Sequence, residues 1–107
     1  MKQAIHIKSE ARDLILVAME FHRKQLDGLG QRLFDIAFNK MHRSDTVFKL
    51  DGMEMIYISQ SLNKYHKHLC AIHKYHDAER YRFLAAQIEK IRITFQMTYG
   101  PKIEKSS

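Results

Sequence analysis

At 107 residues and 12.7 kDa the chain is sized for one domain, which excludes a second independent core. Hydrophobic residues make up 45% and charged residues 28%, which excludes the low-hydrophobicity signature of a disordered chain. The 18 basic against 12 acidic residues leave a net charge of +6, and the excess is the same on either side of Leu50, which excludes a basic tail.

With 4 Gly, 1 Pro and no Trp, few positions allow a sharp turn, and the chain reads as helical. Its single cysteine, Cys70, excludes a disulfide-stapled scaffold and points to the cytoplasm. The most apolar run, 14–19, lies between Asp13 and Glu20. It is too short for a signal segment or a membrane span, so no membrane is expected.

From Ala4 onward, Ile7, Ala11, Leu14, Ile15, Ala18, Phe21, Leu26, Leu29, Leu33 and Ile36 recur at three- and four-residue steps, which predicts a helix. Gly28 and Gly30 interrupt this stripe without shifting its phase, and Phe34, Ala37, Phe38 and Met41 widen it beyond them. Two forms fit: one kinked helix to about His42, or two helices broken near Gly28. Residues 43–51 carry no period and read as a loop.

Asp51 followed by Glu54 is a capping-box pattern, with Leu50 and Met55 placed as its hydrophobic staple, so a helix is expected to start there. Met55, Ile58, Leu62, Tyr65, Leu69, Ile72 and His76 continue it as a heptad-like seam, with His76 as a helix-end residue. Asp77 is then the expected N-cap of a last helix, whose seam is Tyr81, Leu84, Ile88, Ile91, Phe95 and Thr98, stopped by Gly100 and Pro101. The expected fold is therefore all-α, three to four antiparallel helices in one domain over 1–107. A helical hairpin (about 51–76 and 77–99) packs on a long or kinked N-terminal helix, and a polar tail occupies 102–107. No strand alternation is read anywhere.

Four groups of residues bear on function. His66, Cys70 and His73 lie on one side of the third helix and carry good Zn²⁺ or Cu⁺ donors. Their i, i+7 span is about 10.5 Å along the axis, and no CxxC or HExxH accompanies them, so the expectation is flanking histidines, with no metal and no cofactor. Asp13, Glu20 and Asp27, at seven-residue spacing, read as a solvated face, and no catalytic residue is assigned. A second stripe, Tyr57, Lys64, His68 and Tyr75 with Lys67 and Lys74 nearby, interleaves rings and cations in a way that suits nucleic acid. Finally, Phe83, Ile93 and Met97, with Ala86 and the stem of Lys90, form a second apolar stripe opposite the seam of the last helix. Either that helix is central and covered by its neighbours, or the stripe is an association surface for a protein partner or a second copy; because one short chain has little to cover it with, a homodimer or higher homo-oligomer is expected.

The segment Ile58-Ser59-Gln60-Ser61-Leu62-Asn63-Lys64-Tyr65 resembles the Ser-Gln-x-Leu-Asp signature of the sporulation aspartyl-phosphate phosphatase family. Members of that family are short helical hairpins that bind a phosphorylated response regulator and promote loss of its phosphate. The resemblance implies a regulator-facing helix carrying Ser59, Gln60, Leu62 and Asn63. Asn63 stands where the family has Asp, which removes a carboxylate. The chain thus reads first as a small regulatory or adaptor protein binding another protein through a helix face, with Gln60, Asn63, Phe83, Ile93 and Met97 as contact residues. A response-regulator binder and a basic nucleic-acid binder are the alternatives.

Overall fold

The computed structural model describes residues 2–43 and 45–99. Its elements are β1 (Gln3–His6), α1 (Ser9–Arg23), α2 (Gly28–Met41), β2 (Val47–Leu50), α3 (Gly52–Ala71) and α4 (Tyr75–Tyr99). Helix dominates, as the periodicity predicts, and the expected tail at 102–107 lies outside the described residues.

α3 is the axis of the fold. It packs most extensively against α4 and, on its other side, against α1 and α2. Met55, Ile58, Leu62 and Leu69 of the predicted seam are buried in one core with Tyr81, Leu84, Ile88 and Phe95 of α4. The start of α3 follows the local code: the Asp51 carboxylate accepts from Glu54 N at 2.8 Å, and Asp51 N donates to Glu54 Oε1 at 2.9 Å. The staple residues Leu50 and Met55 are both fully buried.

The end of α3 corrects the expected boundary. Lys74 N donates to Leu69 O at 2.8 Å and His73 N to Cys70 O at 3.1 Å, the paired bonds of a Schellman motif. His73 takes the left-handed position with φ 64°, where glycine is usual. The seam therefore stops at Leu69: Ile72 is exposed in the turn, and His76 sits exposed in the first turn of α4. Asp77 is likewise inside α4, in its first turn, and is not its N-cap.

The N-terminal half divides into two helices, the second of the two forms expected. Gly28 has φ 58°, a left-handed start to α2 that a Cβ would strain. The break does reset the helical phase. α2 buries Phe34, Ala37, Phe38 and Met41 and leaves Leu29, Leu33 and Ile36 exposed, contrary to a stripe continuing through the glycines. Arg23 clamps the two helices by donating to both carboxylate oxygens of Asp35 at 2.6 and 2.9 Å. These bonds hold the Asp35 carboxyl below its ordinary range.

Two strands correct the expectation of none. β1 pairs antiparallel with β2 in the register Gln3 to Leu50 and His6 to Val47. β1 takes residues assigned to the first helix, which begins only at Ser9, and β2 takes the second half of the expected loop. Phe48 and Leu50 point inward and Val47 and Lys49 outward, the two-residue period of a half-buried strand. The sheet docks on the helices through Ile5, Ile7, Phe48 and Leu50. Beside it, Lys40 Nζ lies 2.8 Å from the buried carboxylate of Glu54.

Candidate functional site

α4 presents two apolar sides. One is the seam against α3; the other points to solvent, with Phe83 66%, Ile93 48% and Met97 79% exposed. Ala86 and Lys90 between them are exposed too. At about 100° per residue these five positions lie within about 80° of arc, centred opposite the buried Ile88. Because α3 and not α4 is the central helix, neither α1 nor α2 covers this row. The covered arrangement weighed from sequence is thereby excluded.

The other exposed functional candidates lie on α3. That helix is enclosed by α1, α2 and α4 except along a polar strip where Gln60, Asn63, Lys64 and Lys67 face solvent. Lys74 is exposed at the end of the same hairpin. Of the rings in the basic stripe, Tyr75 is exposed beside Lys74, whereas Tyr57 and His68 are turned into the packing of α3. Tyr57 packs edge-on to Phe34 with centroids 5.7 Å apart, and His68 is tilted against Phe21 at 4.8 Å and Tyr65 at 5.6 Å. Both are half-buried, so they are engaged in packing α3 against α1 and α2 and not displayed beside Lys64 and Lys67.

Of the phosphatase-like segment, Gln60 and Asn63 are exposed, while Leu62 is in the core and Ser59 is buried. Ser59 Oγ donates to Glu89 Oε2 at 2.5 Å. Arg92 then grips both oxygens of Glu89, with the closest approach at 2.8 Å, and holds that carboxyl below its ordinary range. This polar bridge ties α3 to α4.

The structure keeps His66 and Cys70 together and gives His73 a partner of its own. His66 Nδ1 lies 3.0 Å from Ala78 O, and Cys70 Sγ is 3.9 Å from the His66 ring. His73, turned out by its left-handed backbone, has Nδ1 2.8 Å from the Tyr75 hydroxyl. Among the described residues no three His, Cys, Asp or Glu side chains are grouped to hold a metal ion.

One polar pair was not anticipated from the sequence. His22 Nδ1 lies 2.9 Å from Ser61 Oγ, and both side chains are buried between α1 and α3. Ser61 Oγ donates onward to Tyr57 O at 2.7 Å, so the imidazole supplies the proton to the serine oxygen. A serine that spends its proton on a carbonyl and has no access to solvent is a packing element and not a nucleophile. Burial first, and then the charge of Lys64, push the His22 pKa below its ordinary value. The only sequence signal for this pair was the helical phase of His22 and Ser61, each on the inward face of its helix.

Tertiary packing also creates recesses with no local signature, of which two are described by their linings. A groove of about 420 Å³ separates β1 from α4, lined by Ile5, Ile7, Ala11, Leu84, Ile88 and Ile91 among others. A second recess, of about 270 Å³, gathers Lys2, Lys40, Arg43 and Lys49 beside β2, with Asp45 at its edge. Two of those lysines are already opposed by Glu54, since Lys2 Nζ also lies 3.7 Å from it. No helix among the described residues is long and apolar enough to cross a membrane.

No family model matches this chain, and no curated protein or solved structure is significantly similar to it.

Proposed function

We propose that the protein is a small cytoplasmic regulatory or adaptor protein that works by binding protein through the outward face of α4. The observation that carries this is the row Phe83, Ala86, Ile93 and Met97, exposed along one side of a helix whose opposite side is fully used in the core. Single exposed apolar residues are ordinary; a row at helical spacing with large side chains is the pattern of a helix-face interface. Affinity capture from native lysate tests it, comparing wild type with Phe83→Glu/Met97→Glu and repeating both after nuclease. The expected result is protein that survives nuclease and is lost with the double variant. Capture that the double variant retains contradicts the assignment of this face.

A second reading uses the polar strip of α3. Gln60 and Asn63 stand exposed one turn apart, and their amides suit hydrogen bonding at a phosphorylated receiver domain. Without a carboxylate at Asn63 this surface binds rather than dephosphorylates.

A further inference from the structure

We propose that the occupant of the α4 face is a second copy of the chain, paired antiparallel across a two-fold axis at the level of Leu84 and Ala85. This deepens the assignment of α4 as a binding face and rests on it.

Phe83, Ala86, Lys90, Ile93 and Met97 follow 3-4-3-4 spacing, and one step N-terminal in that series stands Glu79, which is exposed and held at its outer side by Arg82 of the same helix at 3.0 Å, a solvent-exposed pair that leaves it able to meet a second cation. α4, at 25 residues, offers about three and a half heptads, enough for a coiled-coil seam. The row contains one cation, Lys90, in an otherwise apolar run, and that cation selects the partner. A parallel, in-register pair sets Lys90 against Lys90. The antiparallel pair sets Lys90 of each copy against Glu79 of the other, twice by symmetry, and places Phe83 beside the small Ala86.

The same register fits at its C-terminal margin. Met97 reaches the hairpin end, where Ile72 and Tyr75 are exposed. Sliding the pair by one heptad toward the C-terminus leaves Lys90 facing Ala86. Attraction in one register and its loss in the next is what specifies a helix pairing. The surface carries both halves of its own charge pattern, as an isologous two-fold interface requires.

The test is light scattering after size exclusion on the full chain, from about 1 µM to a few hundred µM, the range where weak association is read. Wild type is expected to move to dimer mass and Phe83→Glu to remain monomeric. Lys90→Glu alone and Glu79→Lys alone each set like charges together, and each is expected to weaken the dimer at least about tenfold. Mixing these two variants in equal amounts restores both pairs and is expected to recover a heterodimer; the double swap Glu79→Lys/Lys90→Glu recovers a homodimer. All these side chains are exposed, so far-ultraviolet circular dichroism should be unchanged. A wild-type monomer throughout, single reversals that leave dimerisation within about twofold, or a mixture that does not associate overturns the proposal. If the purified chain is monomeric while lysate capture through Phe83 and Met97 persists, self-pairing fails and the wider assignment of the face stands; absence of both removes the two together.

Discussion

The Nδ1 atom of His22 and the hydroxyl of Ser61 meet at 2.9 Å in the interface between α1 and α3, with the imidazole donating and the serine passing its own proton to Tyr57 O. The Nδ1–H bond to Ser61 is made in either charge state, but a second proton, on Nε2, would put a charge in a buried place and beside the field of Lys64, which disfavours the cation. His22 has a folded pKa below its unfolded value near 6.5, so the unfolded state takes up the proton first. Stability is therefore fully present above about pH 6.5 and falls as pH drops below it. Urea unfolding at pH 7.5, 6.5 and 5.5 should show a declining midpoint, and His22→Gln should flatten that decline. Equal slopes in the two proteins would mean that His22 is not the titrating group.

A buried ion pair ties α2 to the first turn of α3. Glu54 is 5% exposed and receives Lys40 Nζ at 2.8 Å. Lys40→Ala leaves that carboxylate without its main partner, and the usual cost of breaking a buried pair is about 3–5 kcal/mol. Lys2, 3.7 Å away, supplies a partial substitute, which brings the expected loss to about 2 kcal/mol. Denaturant titration reads it directly. A loss below about 0.5 kcal/mol would place the pair in the class of surface contacts.

The core seam and the turn that ends it make opposite predictions. Leu62 and Ile88 are enclosed on facing sides of the hairpin, and Leu62→Ala or Ile88→Ala should each cost about 2–5 kcal/mol. At His73 the left-handed backbone disfavours any side chain, so His73→Gly should stabilise by about 0.5–1 kcal/mol even though it deletes the exposed bond to Tyr75. A destabilising His73→Gly would show that the turn is not strained in solution.

These outcomes track what the sequence could express. The start of α3 was legible because the capping box and staple lie within Leu50 to Met55, and each partner is near in sequence. The strands were not. β1 and β2 are four residues each, and the residue that pairs with Ile5 is Phe48, so no local window contains the bonding partner. Ile7 also fits a helical step between Ala4 and Ala11, and the helical pattern absorbed it. The end of α3 was missed because a histidine occupies the position where a glycine would have announced the turn. The outward row of α4 was legible as an excess of apolar positions. Its exposure was not, because that depended on α3 taking the central place.

The polar strip of α3 separates the two remaining readings. If it binds phosphates of nucleic acid, the Lys64/Lys67/Lys74 to Glu triple should abolish DNA or RNA binding, and each phosphate no longer neutralised should flatten the salt dependence by about one unit of slope. If it meets a phosphorylated receiver domain, Gln60→Ala/Asn63→Ala should matter more, and Asn63→Asp is the substitution expected to introduce phosphatase activity. Titration of each variant with DNA, RNA and a phosphorylated receiver domain distinguishes them; no change in any binding would confine the partner surface to α4.

The association face itself is tested most directly by photo-crosslinking inside living cells, with a benzoylphenylalanine placed at Ala86, in the middle of the outward row, and at Gln87 beside it as a control. Ala86 and Gln87 are both exposed, so neither probe disturbs the core. Crosslinked products heavier than the monomer from Ala86, abolished when Phe83→Glu/Met97→Glu is added and weak from Gln87, are the predicted result. Monomer alone from Ala86, or products that persist in the double variant, would contradict the assignment of α4 as the surface through which this protein acts.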